Sequence, residues 1–356
     1  MHMADALLSP AVAATMYVAT GAAAAVSVYQ LKKEESAAGK LPTMAVASAL
    51  VFAGQMINYT IPGTGSSGHL CGGMLLSALL GPQAGFLSMM VILAIQCLFF
   101  ADGGLMALGA NCWNMAFYGC FVGYYLIWRP IQRSNWFDRL KNQGGARVRI
   151  TLASILGCVL TLQLGAFSVV LETSLSGITA LPFAAFCALM QPIHLAIGLV
   201  EGLITAAVLN FVYAARPALV QEAHGQDQAA LPAGKGSLKA TVAVLAAVAV
   251  VTGGALSLLA SGNPDGLEWA LFGNAEAGYS ENMALDEEDY GLTSGLADGA
   301  AAVQEKTALL PDYGFAGGES AAGTSASGLI GVALVAAVSV GVCALGGFFR
   351  RKKQKA

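Results

Sequence analysis

Apolar residues along this chain come in long unbroken runs rather than at helical or strand spacing. They extend roughly over 11–29, 42–61, 69–80, 84–101, 104–128, 148–171 and 182–213, and, after a polar stretch, over 238–260 and 328–349. Runs of about 20 residues with almost no charge predict helices that are apolar all round, as a bilayer's hydrocarbon core requires. The third run is short, and SGHLCGGMLLSALLGPQAG reads either as a half-span or as a tightly turned hairpin, with Gly81 and Pro82 as the break. The pattern predicts an all-α polytopic membrane protein: seven spans, a linker, and two more spans.

Composition sharpens this. With 56% of residues apolar and 11% charged, a soluble domain is excluded. The net charge of −3 conceals an asymmetry: the chain finishes in the basic RRKKQK, whereas residues 261–327 hold twelve Asp and Glu against one Lys. Such a split fits opposite faces of a bilayer rather than nucleic acid. Lys32, Lys33 and Lys40 follow the first span, Arg129, Arg133, Arg139, Lys141, Arg147 and Arg149 lie between the fifth and sixth, and the basic tail follows the ninth. Positive charge marks the cytoplasmic side. The amino terminus, the loop YTIPGTGSSGHL, the turn ADGG and the acidic segment are therefore expected outside, and the carboxyl terminus inside. Of the acidic segment, residues 274–306 read as a solvated, partly disordered loop, although its carboxylates also suit attraction of cations. NPDGLE and LPDYGF are expected to make ordered contact with the outer face of the first seven spans.

Several features have bland readings. None of Cys71, Cys97, Cys112, Cys120, Cys158, Cys187 and Cys343 forms a CxxC pair, and all lie in or beside apolar runs, as packing residues do. GCFVG and GLVEG have the spacing of small residues that lets helices approach closely. Pro192 is expected to kink the seventh span. His194 and Glu201, two turns apart on one face of that span, are functional candidates because ionisable residues are costly in a membrane; a satisfied interhelical hydrogen bond explains them equally well.

GTGSSGHL carries Gly63 and Gly68 at phosphate-loop spacing, but His69 and Leu70 stand where Lys and Ser or Thr are needed, so nucleotide binding is rejected. Ser66 or Ser67 is instead expected to cap a helix beginning near His69. No GxSxG or HExxH is present.

The opening MHMADALLSP holds the sharpest candidate. A histidine at position two brings three nitrogens together without tertiary help: the Met1 α-amine, the His2 amide and the His2 imidazole, which close fused five- and six-membered rings on one metal ion. One planar position stays open, and His69, expected on the same face, is the candidate for it. Four nitrogens in a plane suit nickel(II) or copper(II). Binding displaces protons, so it should strengthen as pH rises. Met1 is expected to persist, since His is too bulky for removal of the initiator before it.

MHMADALLSP, GSSGHLCGGMLLSALLGPQAG, ALGANCWNMAFYG and HLAIGLVEGLITAAVLNFVY together resemble the CbiM/NikM family, the substrate-capturing membrane components of energy-coupling factor transporters for cobalt and nickel. NPDGLEWA and LPDYGF, between the last two spans, resemble the PDGLE domain, a NikN/CbiN-like accessory component. The resemblance implies a metal-capturing domain over 1–215, a linker over 216–237 and a fused PDGLE domain with two transmembrane helices over 238–356. It implies a metal held by Met1, His2 and His69, with Asp5, Asn111 and Asn114 steadying the amino-terminal loop or a ligand imidazole from behind. Ala4, Asp5 and Ala6 depart from the Glu and aromatic residue common in the family. The resemblance further implies a transport component and no enzyme, with nickel(II) or cobalt(II) as cargo and no organic cofactor. The implied partners are a transmembrane coupling subunit and two ATP-binding subunits in a bacterial inner membrane. The rival reading is an intramembrane enzyme or proton-coupled carrier that uses His194 and Glu201.

Overall fold

A computed structural model describes residues 2–33, 41–136, 144–178, 181–223, 237–278, 291–315 and 320–353. Met1, Lys40, Arg139, Lys141 and the acidic stretch 279–290 lie outside them. After a short 3-10 turn at Asp5–Leu7 come α1 (Pro10–Lys33) and α2 (Leu41–Gln55). A two-stranded antiparallel hairpin follows, β1 (Tyr59–Ile61) and β2 (Ser66–Gly68), in the register Tyr59 to Gly68 and Ile61 to Ser66. Then come α3 (Gly73–Leu80) and α4 (Pro82–Phe100). Helix α5 runs without a break through Leu108–Cys112, a π-helical stretch at Trp113–Trp128, and Arg129–Gln132. The long α6 (Gly144–Leu175) and α7 (Phe183–Ala215) complete the first bundle. The rest of the chain contributes α8 (Leu238–Gly254), the short α9 (Gly266–Phe272), α10 (Gly295–Thr307) and α11 (Ala321–Lys353).

Helices α1, α4, α6 and α7, and α11 over Ala321–Gly341, are long and apolar enough to cross a membrane. Helices α2 and α8 are apolar but shorter. The second run is thus less than a full helical span: it ends at Gln55, and the chain turns into the hairpin. The third run is a half-span. Helix α3 stops at Gly81, whose φ of 86° and ψ of 162° no helix continues through, and Pro82 starts α4.

A helix that begins inside the bundle leaves its first amides without partners, and lipid or packed protein offers no water to satisfy them. The Glu201 carboxylate on α7 meets this need, accepting hydrogen bonds from Cys71 N at 2.7 Å and Gly72 N at 2.9 Å. Gly72 itself has φ 86°, and a Cβ there would lie 2.3 Å from Val51 Cγ1. The expected serine cap is corrected accordingly. Ser66 and Ser67 lie in β2, the helix starts at Gly73, and Ser67 Oγ donates to Asn263 O at 2.8 Å. Three-residue strands leave no period for the sequence to show.

The small-residue spacings serve packing. Cβ atoms at Gly198 and Gly202 would meet the α6 backbone at Val159 and Ile155, at 2.9 and 2.6 Å, and one at Gly119 would lie 2.8 Å from Gly73 Cα. Helix α2 is covered by α8 and α11, so the two halves of the chain share a core; Gly331 of α11 sits on the Phe52 ring. Pro192 lies within an α7 that continues to Ala215.

Candidate metal centre

Residues 2–4, without regular secondary structure, enter the mouth of the first bundle, where Met3 is fully buried. Asn111 clips this segment at both main-chain groups: its Oδ1 accepts from Met3 N at 2.8 Å, and its Nδ2 donates to Met3 O at 3.2 Å. Gly104 N also donates to Met3 O, at 2.9 Å. Asp5 Oδ1 accepts from Ala107 N at 2.9 Å. Asn114 Nδ2 lies 3.7 Å from Met3 Sδ and donates to Glu172 Oε2 at 2.9 Å. Asp5, Asn111 and Asn114 therefore all hold the amino-terminal loop, and none of these bonds goes to an imidazole.

The loop delivers His2 onto His69. The two rings stack with centroids 5.3 Å apart and 24° between their planes. His69 follows β2, and its Nδ1 donates to Leu70 O at 2.9 Å. A carbonyl can only accept, so the proton sits on Nδ1 and the lone pair belongs to Nε2, the state of a histidine ready to bind a metal. Burial pushes the His69 imidazole down to about 4, with His2 adding to the effect, and burial likewise lowers His2.

Both histidines line a cavity of about 990 Å³. Among the described residues its walls also carry Asp5, Asp102, Asp265, Glu268 and Asp312 and no Lys or Arg, so their field favours a cation. His2 Nδ1 is 3.2 Å from Asp102 Oδ1, and His2 Nε2 is 3.3 Å from Gln96 Oε1. Gln96 Nε2 in turn donates to Gln55 Oε1 at 2.9 Å, and Gln55 Nε2 to Cys71 O at 2.8 Å. Among the described residues no three His, Cys, Asp or Glu side chains gather as a metal cluster. What the described residues bring together is the pair His2 and His69; Met1 lies outside them.

The accessory half closes over this mouth. Ser67 N donates to Pro264 O at 2.8 Å, and Asp265 starts α9 with a capping box to Glu268. Tyr313 donates to Asp102 Oδ2 at 2.6 Å. NPDGLE and LPDYGF thus both touch the first bundle. The segment 274–306, expected as a solvated, partly disordered loop, is solvated but helical over its second half: Ser294 caps the helix α10, which buries no residue, and Gln304 Nε2 donates to Cys97 O and Gly103 O at 2.9 and 2.7 Å.

His194 and Glu201 are not bonded to each other. His194 Nδ1 donates to Met190 O at 2.8 Å within its own helix, and both Glu201 oxygens are used on α3. Sequence spacing passes over Asp102, Gln96 and Gln55 entirely. The available signal was an aspartate in the ADGG turn on the same expected face as His2, and two glutamines within apolar runs.

Residues 2–219 match the family model described as the cobalt uptake substrate-specific transmembrane region, and residues 239–346 match the PDGLE domain. A relative from Archaeoglobus fulgidus, which carries the provisional name of a fused nickel transport protein NikMN, is 34% identical over 95% of this chain and 96% of its own. The fused nickel transport protein NikMN of Rhodobacter capsulatus is 31% identical over 97% of this chain and 99% of its own. The crystal structure of a transition metal transporter superposes with a TM-score of 0.51 at 30% identity, covering 64% of this chain and 99% of that one.

Proposed function

This chain belongs to the family of cobalt uptake substrate-specific transmembrane regions, with a PDGLE domain joined to it, and from that membership we propose that it is the metal-capturing membrane component of an energy-coupling factor importer for nickel(II) or cobalt(II). The stacking of His2 on His69 at a cation-favouring cavity carries this reading. The Met1 amine, the His2 amide and the His2 imidazole supply three nitrogens and His69 Nε2 the fourth. A planar set of four nitrogens tips the cargo toward nickel, with cobalt next; the affinity order alone favours copper, so selection against it falls to pocket geometry or ion availability.

The protein is a transport component rather than an enzyme. It sits in the plasma membrane as a multi-pass protein, with the metal centre and amino terminus outside and the basic carboxyl terminus in the cytoplasm. It presents the ion to a transmembrane coupling subunit and two ATP-binding subunits, because its own phosphate-loop-like sequence lacks the lysine and hydroxyl that handle nucleotide. No observation favours a carrier built on His194 and Glu201, since Glu201 spends both oxygens on main-chain amides and His194 bonds within its own helix, not to Glu201.

The test is an extension of the amino terminus by one residue, which leaves every side chain in place but destroys the register of amine, amide and imidazole. Nickel and cobalt binding by the purified full chain is expected to be lost, and His69→Ala is expected to weaken it strongly. Unaltered binding in both variants overturns the reading. Uptake competition between the two ions in cells supplied with the partner subunits decides between them.

A further inference from the structure

Helix α3 is capped from elsewhere in the chain at both of its ends. Glu201 serves the amides that open it, and at the other end Gly81 N serves Ser77 O, which leaves the next two carbonyls to Gln221. Gln221 N donates to Ala78 O at 2.8 Å and Gln221 Nε2 to Leu79 O at 3.2 Å. The last carbonyls of a helix that stops within a bundle need such partners. Gln221 belongs to a short strap, residues 217–223, that follows α7 after Arg216. Trp128, fully buried on α5, donates its Nε1 to Gln221 O at 2.9 Å, and Val220 and Ala223 are buried on either side. Glu222 is locked to the end of α5: its two oxygens accept from Arg133 at 2.9 and 3.0 Å, and Arg129 Nε lies 3.5 Å away. It keeps a φ of 59° there, a left-handed conformation that a residue other than glycine holds only where its surroundings impose it.

His69 rides on the opposite end of the same helix. Its Nδ1 is bonded to Leu70 O, Leu70 leads directly into Cys71, and α3 then runs for about 12 Å from Gly73 to Leu80. On two sides α3 is packed through glycine. A Cβ at Gly73 would lie 3.0 Å from Gly119 Cα of α5, and one at Gly85 of α4 would lie 2.9 Å from Ser77 N. Such smooth faces interlock less than ridges of large side chains do, so the caps at its ends set where α3 sits along its axis. Glu201 and Gln221 come from α7 and its continuation. Helix α3 is therefore a strut held between the strap and the metal centre.

Resting on the metal centre proposed above, we infer that Gln221 is a positioning residue for His69: through α3 it holds the imidazole where it completes the ligand set with His2, and the Arg133–Glu222 pair locks it there. The strap lies at the end of the bundle that carries Arg129, Arg133 and Arg149, the basic face read as cytoplasmic. Movement of the strap is felt at the outer mouth, one half-span away. A coupling subunit that draws Arg133 off Glu222 loosens the ion by letting α3 slip, and needs no contact with the metal centre to do so.

The experiment uses the full chain in detergent with copper(II) as the probe, because its higher place in the affinity order keeps binding measurable when a nitrogen is lost. Affinity and the rate of loss to an external chelator are measured, together with the melting temperature of the metal-free protein. Gln221→Ala is expected to weaken binding about fivefold and to speed loss in proportion, the size of one hydrogen bond. Arg133→Ala acts in the same direction by about twofold, as a partly exposed ion pair allows. The decisive readout is the double variant. In a His69→Ala background the Gln221→Ala effect should vanish, whereas a general loosening of the bundle weakens the remaining nitrogens just as much. Unchanged affinity in Gln221→Ala, with or without a lower melting temperature, overturns the inference; so does an undiminished effect in the His69→Ala background. If Gln221→Ala does not fold, Arg133→Ala and its combination with His69→Ala decide alone. His69→Ala by itself separates the two levels: if it leaves copper binding unchanged, the metal centre falls, and if it weakens binding while Gln221→Ala does not, only the positioning role falls.

Discussion

His69 and His194 are anchored alike, each giving its Nδ1 proton to a main-chain carbonyl, at 2.9 and 2.8 Å, yet they stand in regions built for opposite ends. Around His69 the polar groups face a cavity of about 990 Å³, and a second imidazole lies on its ring. Around His194 the space is closed: Gly266 packs so near that a Cβ there would come within 3.2 Å of the imidazole Cε1. Glu201, two turns further along α7, spends both oxygens on the amides that open α3. An ionisable group inside a membrane protein is a functional candidate by default. The contrast separates a carboxylate used up by the amides of a broken helix from an imidazole whose second nitrogen is left facing a cavity after the backbone is served.

The largest effect that bears on this contrast is Glu201→Ala. It leaves the amides of Cys71 and Gly72 without acceptors in a buried setting, at a cost of about 3–5 kcal/mol from two hydrogen bonds to a carboxylate. A steep loss of folded protein and of thermal stability in detergent is expected, with partial recovery in Glu201→Gln, whose one amide oxygen still accepts. A folded Glu201→Ala variant of ordinary stability that has lost metal transport would reverse the roles of the two regions.

The region around His69 should respond the other way, with capture lost and the helices kept. Gly104 allows the amino-terminal loop to lie against the turn after α4: a Cβ there would come within 1.8 Å of Asp5 Oδ1 and 2.5 Å of Asp5 N. Gly104→Ala must push the loop outward and break the bonds from Gly104 N to Met3 O and from Ala107 N to Asp5 Oδ1. Because Met3, Leu7 and Leu8 of this segment are buried in the core, the melting temperature should fall by a few degrees while the helices stay folded. Metal affinity should fall by about 10- to 100-fold, as when a supporting contact of a metal ligand is removed. A large loss of stability with affinity unchanged would mean that the loop serves the core and not the histidines.

The same contrast explains what the sequence made legible. Span-length apolar runs follow from the bilayer itself, so the long apolar helices were readable, and so was the break at Gly81 and Pro82, where backbone chemistry is local. His2 and His69 could be placed on one face because charge near the span ends orients the whole chain. The resemblance carried by MHMADALLSP and GSSGHL pointed to the same pair. Ser66 and Ser67 misled, because a serine before an apolar run signals a cap only if the helix starts there, and the real cap is a glutamate 130 residues away. Asp102, Gln96 and Gln55 stayed hidden since their roles exist only after tertiary contacts form. The helix at Gly295–Thr307 was obscured by a Gly, Ala and acidic composition that fits a solvated loop as well as a solvated helix; what selects the helix is Ser294 at its start and Gln304 on the mouth below.

The smallest effect lies in pH, and it probes how dry His2 and His69 are when no metal is present. Burial pushes His69 from an ordinary value near 6.5 down to about 4, and lowers His2 as well. In the unfolded chain both imidazoles take a proton as pH falls through about 6.5. In the folded chain His69 does not do so until pH approaches 4. Between those limits the unfolded state binds more protons, so the stability held in full above pH 6.5 is lost progressively as the pH drops toward 4. His69 is only partly enclosed and faces the cavity, so solvent screening trims its share. The expected signature is a fall in the melting temperature of the metal-free protein between pH 7 and pH 4.5 that is shallower by about 2 °C in His69→Gln, which keeps a polar side chain but cannot titrate. An identical slope in the variant would mean that the ring is hydrated in the free protein.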